Sequence, residues 1–351
     1  MDRSTVEVYE RRAEEWAERR RAVHRDRSTV LAARVLPGLP VADLGCGPGH
    51  YLDDLGPRAV GVDAAAAMLA LVGPGARLVQ ADLEALPLRD RSLGGVWASN
   101  SYLHVPRTRL PLAMARLHWA MEVGAPLTLS VVVGDGEGDW PDDDFPGRRF
   151  SFWQPESLGA LLAGAGFEVE DVTIQAERVW ADARRARTLP DTTAAGQRVL
   201  VCGLNPSVVA ADAGYGFAGP SNRFWRAAVA SGLVTRPRDP LGCAVHDRVG
   251  MTDLVKRATP NAAVLGVEEY RAGADRVRGL VEWLQPQLVL FVGLAGWRAA
   301  VDRTALAGLQ PAPFGGAPAY VMPSTSGLNA HSTPASLAAH MAEALTLLRS
   351  A

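Results

Sequence analysis

The chain is expected to fold as α/β, with two three-layer domains in series. Three observations predict this. Short apolar runs of strand length alternate with helical patterns from residue 41 to 133, and apolar strands recur from 199 to 322. In each half the first such run ends directly in a glycine turn, at Gly45 and at Gly203. A chain of 351 residues also exceeds what one hydrophobic core usually organises.

Residues 5–35 read as a helix, with Tyr9, Ala13, Trp16 and Ala17 on one face among Arg and Glu. Strands follow at 41–44, 59–63 and 77–82, the second ending in Asp63 and the third in Asp82; residues 64–72 are helical between them. Residues 93–99 form a fourth strand, 107–121 a helix and 127–133 a fifth strand. This alternation argues for a doubly wound sheet. Residues 134–147 are a Gly/Asp/Pro-rich loop, and Gln154-Pro155-Glu156 starts another helix with Pro in its first turn. Residues 167–174 and 178–183 close the sheet as a hairpin-like pair. The stretch around 188–197 has no apolar pattern and reads as a linker, which sets the domains at 1–187 and 198–351. The second begins with the strand at Val199, with further strands at 288–292 and 319–322.

Composition excludes several classes. Hydrophobic residues make up 48% and charged residues 21%, as in ordinary globular proteins. No apolar run approaches the roughly 20 residues of a membrane span, and the charged N-terminal pattern is not that of a signal peptide. Three scattered cysteines make neither a disulfide framework nor a zinc site. A reducing cytoplasm is expected, in a bacterial cell, with nucleoid association when DNA is the substrate. Net charge is −2, but residues 1–195 carry 22 basic and 28 acidic side chains, and residues 196–351 carry 14 and 10. The basic half is the one expected to meet phosphates. Lys256 is the single lysine, against 35 arginines.

In the first half, Asp43-Leu44-Gly45-Cys46-Gly47-Pro48-Gly49 follows a strand. Glycines there allow a tight turn and close approach to a ligand. The spacing is not that of the dinucleotide fingerprint. With Asp63 and Asp82 at the next two strand ends, the pattern resembles the class I S-adenosylmethionine-dependent methyltransferases, over about residues 5–187. The resemblance implies a Rossmann-like fold and S-adenosylmethionine as cofactor. Its methionine part would lie on Asp43, Gly45, Gly47 and Gly49, its ribose on Asp63 and its adenine on Asp82 with apolar Leu83 beside it. Ser99-Asn100-Ser101-Tyr102-Leu103-His104 falls where that family places substrate-facing groups. It lacks the motifs of DNA amino- and cytosine methyltransferases, so the acceptor is expected to be a small molecule or otherwise unknown. Cys46 reads as a buried small residue. His104 reads first as a structural histidine and second as a general base. The triplet Asp142-Asp143-Asp144 reads as solvated acidic surface rather than a metal site.

In the second half, Val199-Leu200-Val201-Cys202-Gly203-Leu204-Asn205-Pro206-Ser207 is followed by Phe217-Ala218-Gly219-Pro220-Ser221-Asn222-Arg223-Phe224-Trp225 and then by Pro323-Ser324-Thr325-Ser326-Gly327-Leu328-Asn329. In this order they resemble the mismatch-specific uracil/thymine-DNA glycosylases of the uracil-DNA glycosylase superfamily, over residues 196–349. The resemblance implies a second Rossmann-like domain acting on double-stranded DNA with mispaired or deaminated bases, without cofactor. Asn205 would position the attacking water. Gly203, Pro206, Phe217 and Asn222 would surround the flipped base, with Phe217 stacking on it. Ser326, Gly327, Leu328 and Asn329 would form the wedge and meet the unpaired guanine, and Arg223 a phosphate. Phe224-Trp225 reads as core. Ser207 and Ser324-Thr325 depart from the family's usual residues, which bears on substrate preference. An amide holds water but does not take its proton, so slow turnover is expected. A lyase step needs an amine nucleophile. Lys256, read as surface-exposed or phosphate-facing, is the single lysine, so a monofunctional enzyme is expected. The alternative is a damaged-DNA-binding protein with weak or no glycosylase activity, whose first domain binds or senses the cofactor.

Overall fold

A computed structural model describes residues 1–141 and 143–349. It divides into two compact units, Met1–Ala163 with Phe167–Ala186, and Arg187–Ala351 with Gly164–Gly166. Both are α/β.

The first unit is built on strands β1 (Val41–Leu44), β2 (Ala59–Asp63), β3 (Arg77–Gln80), β4 (Gly95–Ser99) and β5 (Pro126–Val133), parallel in the order β3-β2-β1-β4-β5. β1 is buried along its whole length, as expected for a parallel strand covered on both faces. Two further strands, β6 (Glu137–Gly138) and β7 (Phe150–Trp153), extend the sheet beyond β5. Neither was expected from the sequence: β6 lies in the polar loop and β7 just after it. The hairpin of β8 (Phe167–Gln175) and β9 (Arg178–Arg185) is present, with β9 antiparallel to β5.

The expected helix over 5–35 is three segments, Arg3–Arg11, Ala13–Arg19 and Arg25–Ala32. The chain leaves helical geometry at Arg12 and again at Arg20, which is extended. Packing decides this over propensity. Tyr9 and Trp16 meet edge to face at 6.3 Å, and His24 turns its edge onto Trp180 at 4.7 Å.

The second unit has β10 (Val199–Gly203), β11 (Val249–Asp253), β12 (Val289–Val292), β13 (Gly308–Leu309) and β14 (Ala319–Met322), in the order β11-β10-β12-β14-β13. All neighbours are parallel except β13, an antiparallel edge. Strand alternation splits the core in two. Val199, Val201, Leu290, Val292, Tyr320 and Met322 pack with Phe224, Trp225 and Met341 on one face. Leu200, Cys202, Val289, Phe291, Ala319 and Val321 pack with Val277, Val281 and Trp297 on the other. Phe224 and Trp225 are core, as expected.

The segment read as a linker is packed rather than free. Thr188, Asp191, Thr192 and Thr193 are buried, and Thr192 pairs with Met251 beside β11. Besides buried Leu189, the segment is held by charge. Asp191 accepts from Lys256 Nζ at 2.8 Å, Arg276 Nη1 at 2.7 Å and Thr252 Oγ1 at 2.6 Å.

Candidate functional site

In the first unit the carboxyl ends of β1, β2 and β4 border a cavity of about 470 Å³, within the usual range for small-molecule sites. Asp43, Gly45, Gly47, Asp63 and Leu83 reach its wall. Gly45 and Gly47 have φ of 74° and 52°, the left-handed region where glycine is needed. A Cβ on Gly45 would lie 2.4 Å from Ser101 Cβ. Asp63 accepts from the N–H groups of Gly47 and Ala65, each at 2.9 Å, and so ties β2 to the glycine turn. Burial pushes its carboxyl up, against the pull of those two N–H groups.

Asp43 is almost wholly buried, and its Oδ2 has no hydrogen-bond partner among the described residues. Burial, with the neighbouring Asp63, pushes its carboxyl up to about 8. Ser101 Oγ, Trp16 Nε1 and His50 Nε2 are also buried without hydrogen-bond partners among the described residues, and all three residues line the same cavity. Buried polar groups are nearly always bonded in folded proteins. Their convergence here fits a ligand that is polar and, facing Asp43, cationic.

Two expected cofactor contacts are placed elsewhere. Gly49 lies off the cavity wall; a Cβ there would come within 3.2 Å of Leu52 and Val72, so its role is turn and packing. Asp82 is also off the wall and accepts from the Met1 amino group at 2.8 and 2.7 Å. His104 is structural. Its Nδ1 faces the Arg149 carbonyl at 2.7 Å and so carries the proton, and its Nε2 meets the Tyr9 hydroxyl at 2.8 Å. Burial pushes it down to about 3. Cys46 is buried with its thiol pushed up by burial. Of the acidic triplet, Asp142 lies outside the described residues. The other two differ: the Asp143 side chain is buried against Arg148, while Asp144 is exposed, as expected, and pairs with Arg20.

In the second unit the site forms where β10 ends beside β11. Gly203 O accepts from Leu254 N at 2.9 Å and Pro206 O from Thr259 N at 3.1 Å, so residues 254–259 run alongside 203–206. Asn205 Nδ2 donates to Pro206 O at 3.1 Å, Arg257 O at 3.0 Å and Thr259 Oγ1 at 2.8 Å. Two of these are carbonyls, which only accept, so the NH₂ end must face them. Asn205 Oδ1 is left as an acceptor. Phe217, at φ 59°, stacks on Phe224 with centroids 3.9 Å apart, and a Cβ on Gly203 would lie 3.5 Å from its ring. Such a φ is an outlier for a bulky side chain. It places an aromatic ring at the strand end next to Asn205.

The third motif is a loop whose tip, Leu328, is 92% exposed. Arg223 does not reach outward to a phosphate. It donates to the carbonyls of Thr325, Ser326, Asn329 and Ser332, and so clamps the loop. Asn329 is likewise internal: its Nδ2 donates to Ser324 O at 2.8 Å and Ser332 Oγ at 2.9 Å. Gly327 allows close packing, since a Cβ would lie 2.5 Å from Ser221 Oγ. Asn222 Oδ1 accepts from Phe224 N at 3.0 Å at the start of a helix.

Lys256 is neither surface-exposed nor phosphate-facing. Its side chain is 14% exposed and paired with Asp191. Sequence reading missed two further residues. Thr259 orients Asn205, and Asp253, at the end of β11, holds its carboxylate over Gly203, 2.5 Å from where a Cβ would stand. Burial pushes Asp253 up to about 6. The signal was present in Gly250-Met251-Thr252-Asp253, a short run that was not read as a strand because glycine and polar residues interrupt it.

Two family models match the chain. Residues 190–349 match the uracil DNA glycosylase superfamily and residues 41–124 a methyltransferase domain. Among similar solved structures, an S-adenosylmethionine-dependent methyltransferase from Mesorhizobium loti is 21% identical, with 44% of this chain and 96% of that one covered at a TM-score of 0.37. The Burkholderia thailandensis 1,6-didemethyltoxoflavin-N1-methyltransferase is 24% identical, with 52% and 85% covered at a TM-score of 0.40. A Methanosarcina mazei methyltransferase is 14% identical, with 45% and 97% covered at 0.40. No helix among the described residues is long and apolar enough to cross a membrane. Motif order, strand-end geometry and family models agree: the chain carries a methyltransferase domain, matched over residues 41–124, and a uracil DNA glycosylase superfamily domain, matched over residues 190–349.

Proposed function

We propose that the second domain is a monofunctional DNA glycosylase that removes uracil, thymine or related bases from mispairs with guanine. The observation that carries this reading is Asn205, whose NH₂ is held by three acceptors so that Oδ1 alone is offered to a water. The water oxygen would bond to C1′ of the deoxyribose as the N-glycosidic bond breaks, its electron pair leaving with the base, and the water's proton would pass through solvent to the anionic base. Asn205 supplies position and takes no proton, which favours slow turnover. Phe217 would stack on the extruded base and Leu328 would fill the gap it leaves. The pairing of Lys256 with buried Asp191 supports hydrolysis without a lyase step. A single-turnover assay on a G·U duplex tests the reading. Asn205→Ala should lose base release by at least a hundredfold with duplex binding largely kept, the pattern of a group acting on the transition state. Cleavage at the wild-type rate would overturn it.

The first domain is read as binding S-adenosylmethionine, which supplies a methyl group on a cationic sulfur. Gly45 and Gly47 would let the backbone approach it, Asp43 would face its positive charge and Asp63 would lie at the ribose. Trp16 and Leu83 would give it apolar cover.

A further inference from the structure

The cavity of the first domain is electrically two-ended, and its basic end is not accounted for by the cofactor. Asp43 and Asp63 stand at the strand ends, whereas Arg20, Arg21, Arg148 and Arg178 reach the wall from other segments, Arg21 as an exposed residue that donates to the carbonyls of Ala17, Glu18 and Arg20. Two of these arginines are neutralised within the protein: Arg148 by Asp143 and Arg20 by Asp144. Arg178 pairs with no carboxylate among the described residues. Its Nε donates to Asn100 Oδ1 at 2.6 Å and its Nη1 to Glu177 O at 3.3 Å, while Nη2 has no partner there. The guanidinium lies over the Trp140 ring, 5.0 Å from its centroid. Its pKa is lowered by burial first; the charge of Glu177 pulls the other way, and the like charges of Arg148 and Arg20 add to the lowering. Arginine nevertheless stays charged in proteins, so the cavity wall carries a cation with no carboxylate bonded to it among the described residues.

The surroundings hold that cation still. Arg178 begins β9 directly after the turn residues Ala176 and Glu177, whose φ angles are 48° and 61°. Asn100, at the end of β4, has φ 55°, a conformation asparagine tolerates better than most residues. Its backbone N–H donates to Ser130 O at 3.2 Å and Ser130 Oγ at 3.0 Å, and its Nδ2 donates to Ser99 Oγ at 3.3 Å. The carbonyl end of the side chain is thereby aimed at Arg178. The Nε edge is occupied and the Nη end of the fork is presented, the geometry that accepts a planar oxyanion on two parallel N–H donors.

We infer that Arg178, aimed by Asn100 and stacked on Trp140, is the recognition group for the methyl acceptor, and that the acceptor is a small aromatic molecule bearing a carboxylate or similar oxyanion. The inference rests on the methyltransferase reading of this domain. The cavity sorts its two ligands by charge, with the cationic cofactor at the acidic end and the anionic acceptor at the basic end. Trp140 and Phe150, edge to face at 5.4 Å, supply the apolar wall for the acceptor's ring. An inward-facing cation suits a small anion that enters the cavity, where a nucleic-acid backbone would need cations on the outer surface.

The test is calorimetric titration of the full chain with benzoate, 1-naphthoate and phenylphosphate, and with neutral benzamide as isostere, with and without S-adenosylhomocysteine. At least one of the three anions should bind at least tenfold more tightly than benzamide. Arg178→Met and Arg178→Gln should each lose that preference and leave S-adenosylhomocysteine affinity within twofold. Failure of all three anions to bind more tightly than benzamide, or unchanged anion binding in both variants, would overturn the inference. The two readings separate cleanly. If S-adenosylhomocysteine binds and no anion does, this inference alone fails. If anions bind through Arg178 and S-adenosylhomocysteine does not, the cofactor reading fails and the anion site stands.

Discussion

Asp43 allows a quantitative prediction. It is 2% exposed, its Oδ2 has no hydrogen-bond partner among the described residues, and its carboxyl is pushed from 3.8 to about 8 by burial first and by Asp63 second. The folded state therefore holds the proton more tightly than the unfolded chain. Stability from this group is full below about pH 4 and is lost as pH rises toward 8, by about 1.4 kcal/mol per unit. At pH 7, about three units above the unfolded value, the cost is of the order of 4 kcal/mol. Asparagine is nearly isosteric and cannot ionise, so Asp43→Asn escapes it. At about 2–4 °C per kcal/mol for a domain of this size, the melting midpoint of the first domain at pH 7 should rise by on the order of 10 °C. The gain should shrink to less than half of that at pH 5, where the cost is about 1.7 kcal/mol. Thermal melts of wild type and variant, without cofactor, across pH 5–8 measure it directly. A difference that does not change with pH would refute the reasoning. The same group should couple to ligand. A cation at Asp43 favours the carboxylate, so at pH 7 cofactor binding should release about 0.9 proton, the fraction protonated beforehand. Titrations in buffers of differing ionisation enthalpy read this release. Asp43→Asn should bind more weakly and release none.

Three further outcomes follow for the second domain. Leu328→Ala removes the exposed loop tip, so it should weaken binding to mismatched duplex and slow cleavage together, by roughly tenfold each, with the melting midpoint unchanged; unaltered binding would exclude the wedge role. Phe217→Ala should lose about 1–3 kcal/mol of base stacking, read as a weaker affinity for a duplex carrying an abasic-site mimic plus free uracil, and it should also lower stability because the ring packs on Phe224. Lys256→Ala should leave Asp191 buried with one cation fewer, destabilising the second domain by about 3 kcal/mol or more, while borohydride traps no covalent DNA adduct in wild type or variant.

Much of this protein was determined by its sequence alone. The fully buried β10 is a continuous apolar run, and β1 is apolar but for Asp43, the pattern of parallel strands covered on both faces. Gly45 and Gly47 were legible because left-handed backbone at a strand end demands glycine. Asn205 and Phe217 were singled out by the resemblance of their motifs to the uracil-DNA glycosylase superfamily, and the structure puts the Phe217 ring beside Gly203 at the end of β10. What was not legible depends on which partner a polar side chain finds across the fold. Arg223 could equally have met a phosphate; only the folded loop shows it spending its donors on four carbonyls. Lys256 looked free because Asp191, its partner, lies in a stretch with no apolar pattern. Asn100 and Arg178 are far apart in sequence and meet because β4 and the β8–β9 turn reach the same cavity. Local pattern records burial and backbone geometry, residue by residue. Hydrogen bonds and ion pairs between distant segments leave no periodic trace, so the tertiary structure alone decided which charges were spent on the fold and which remained for a ligand.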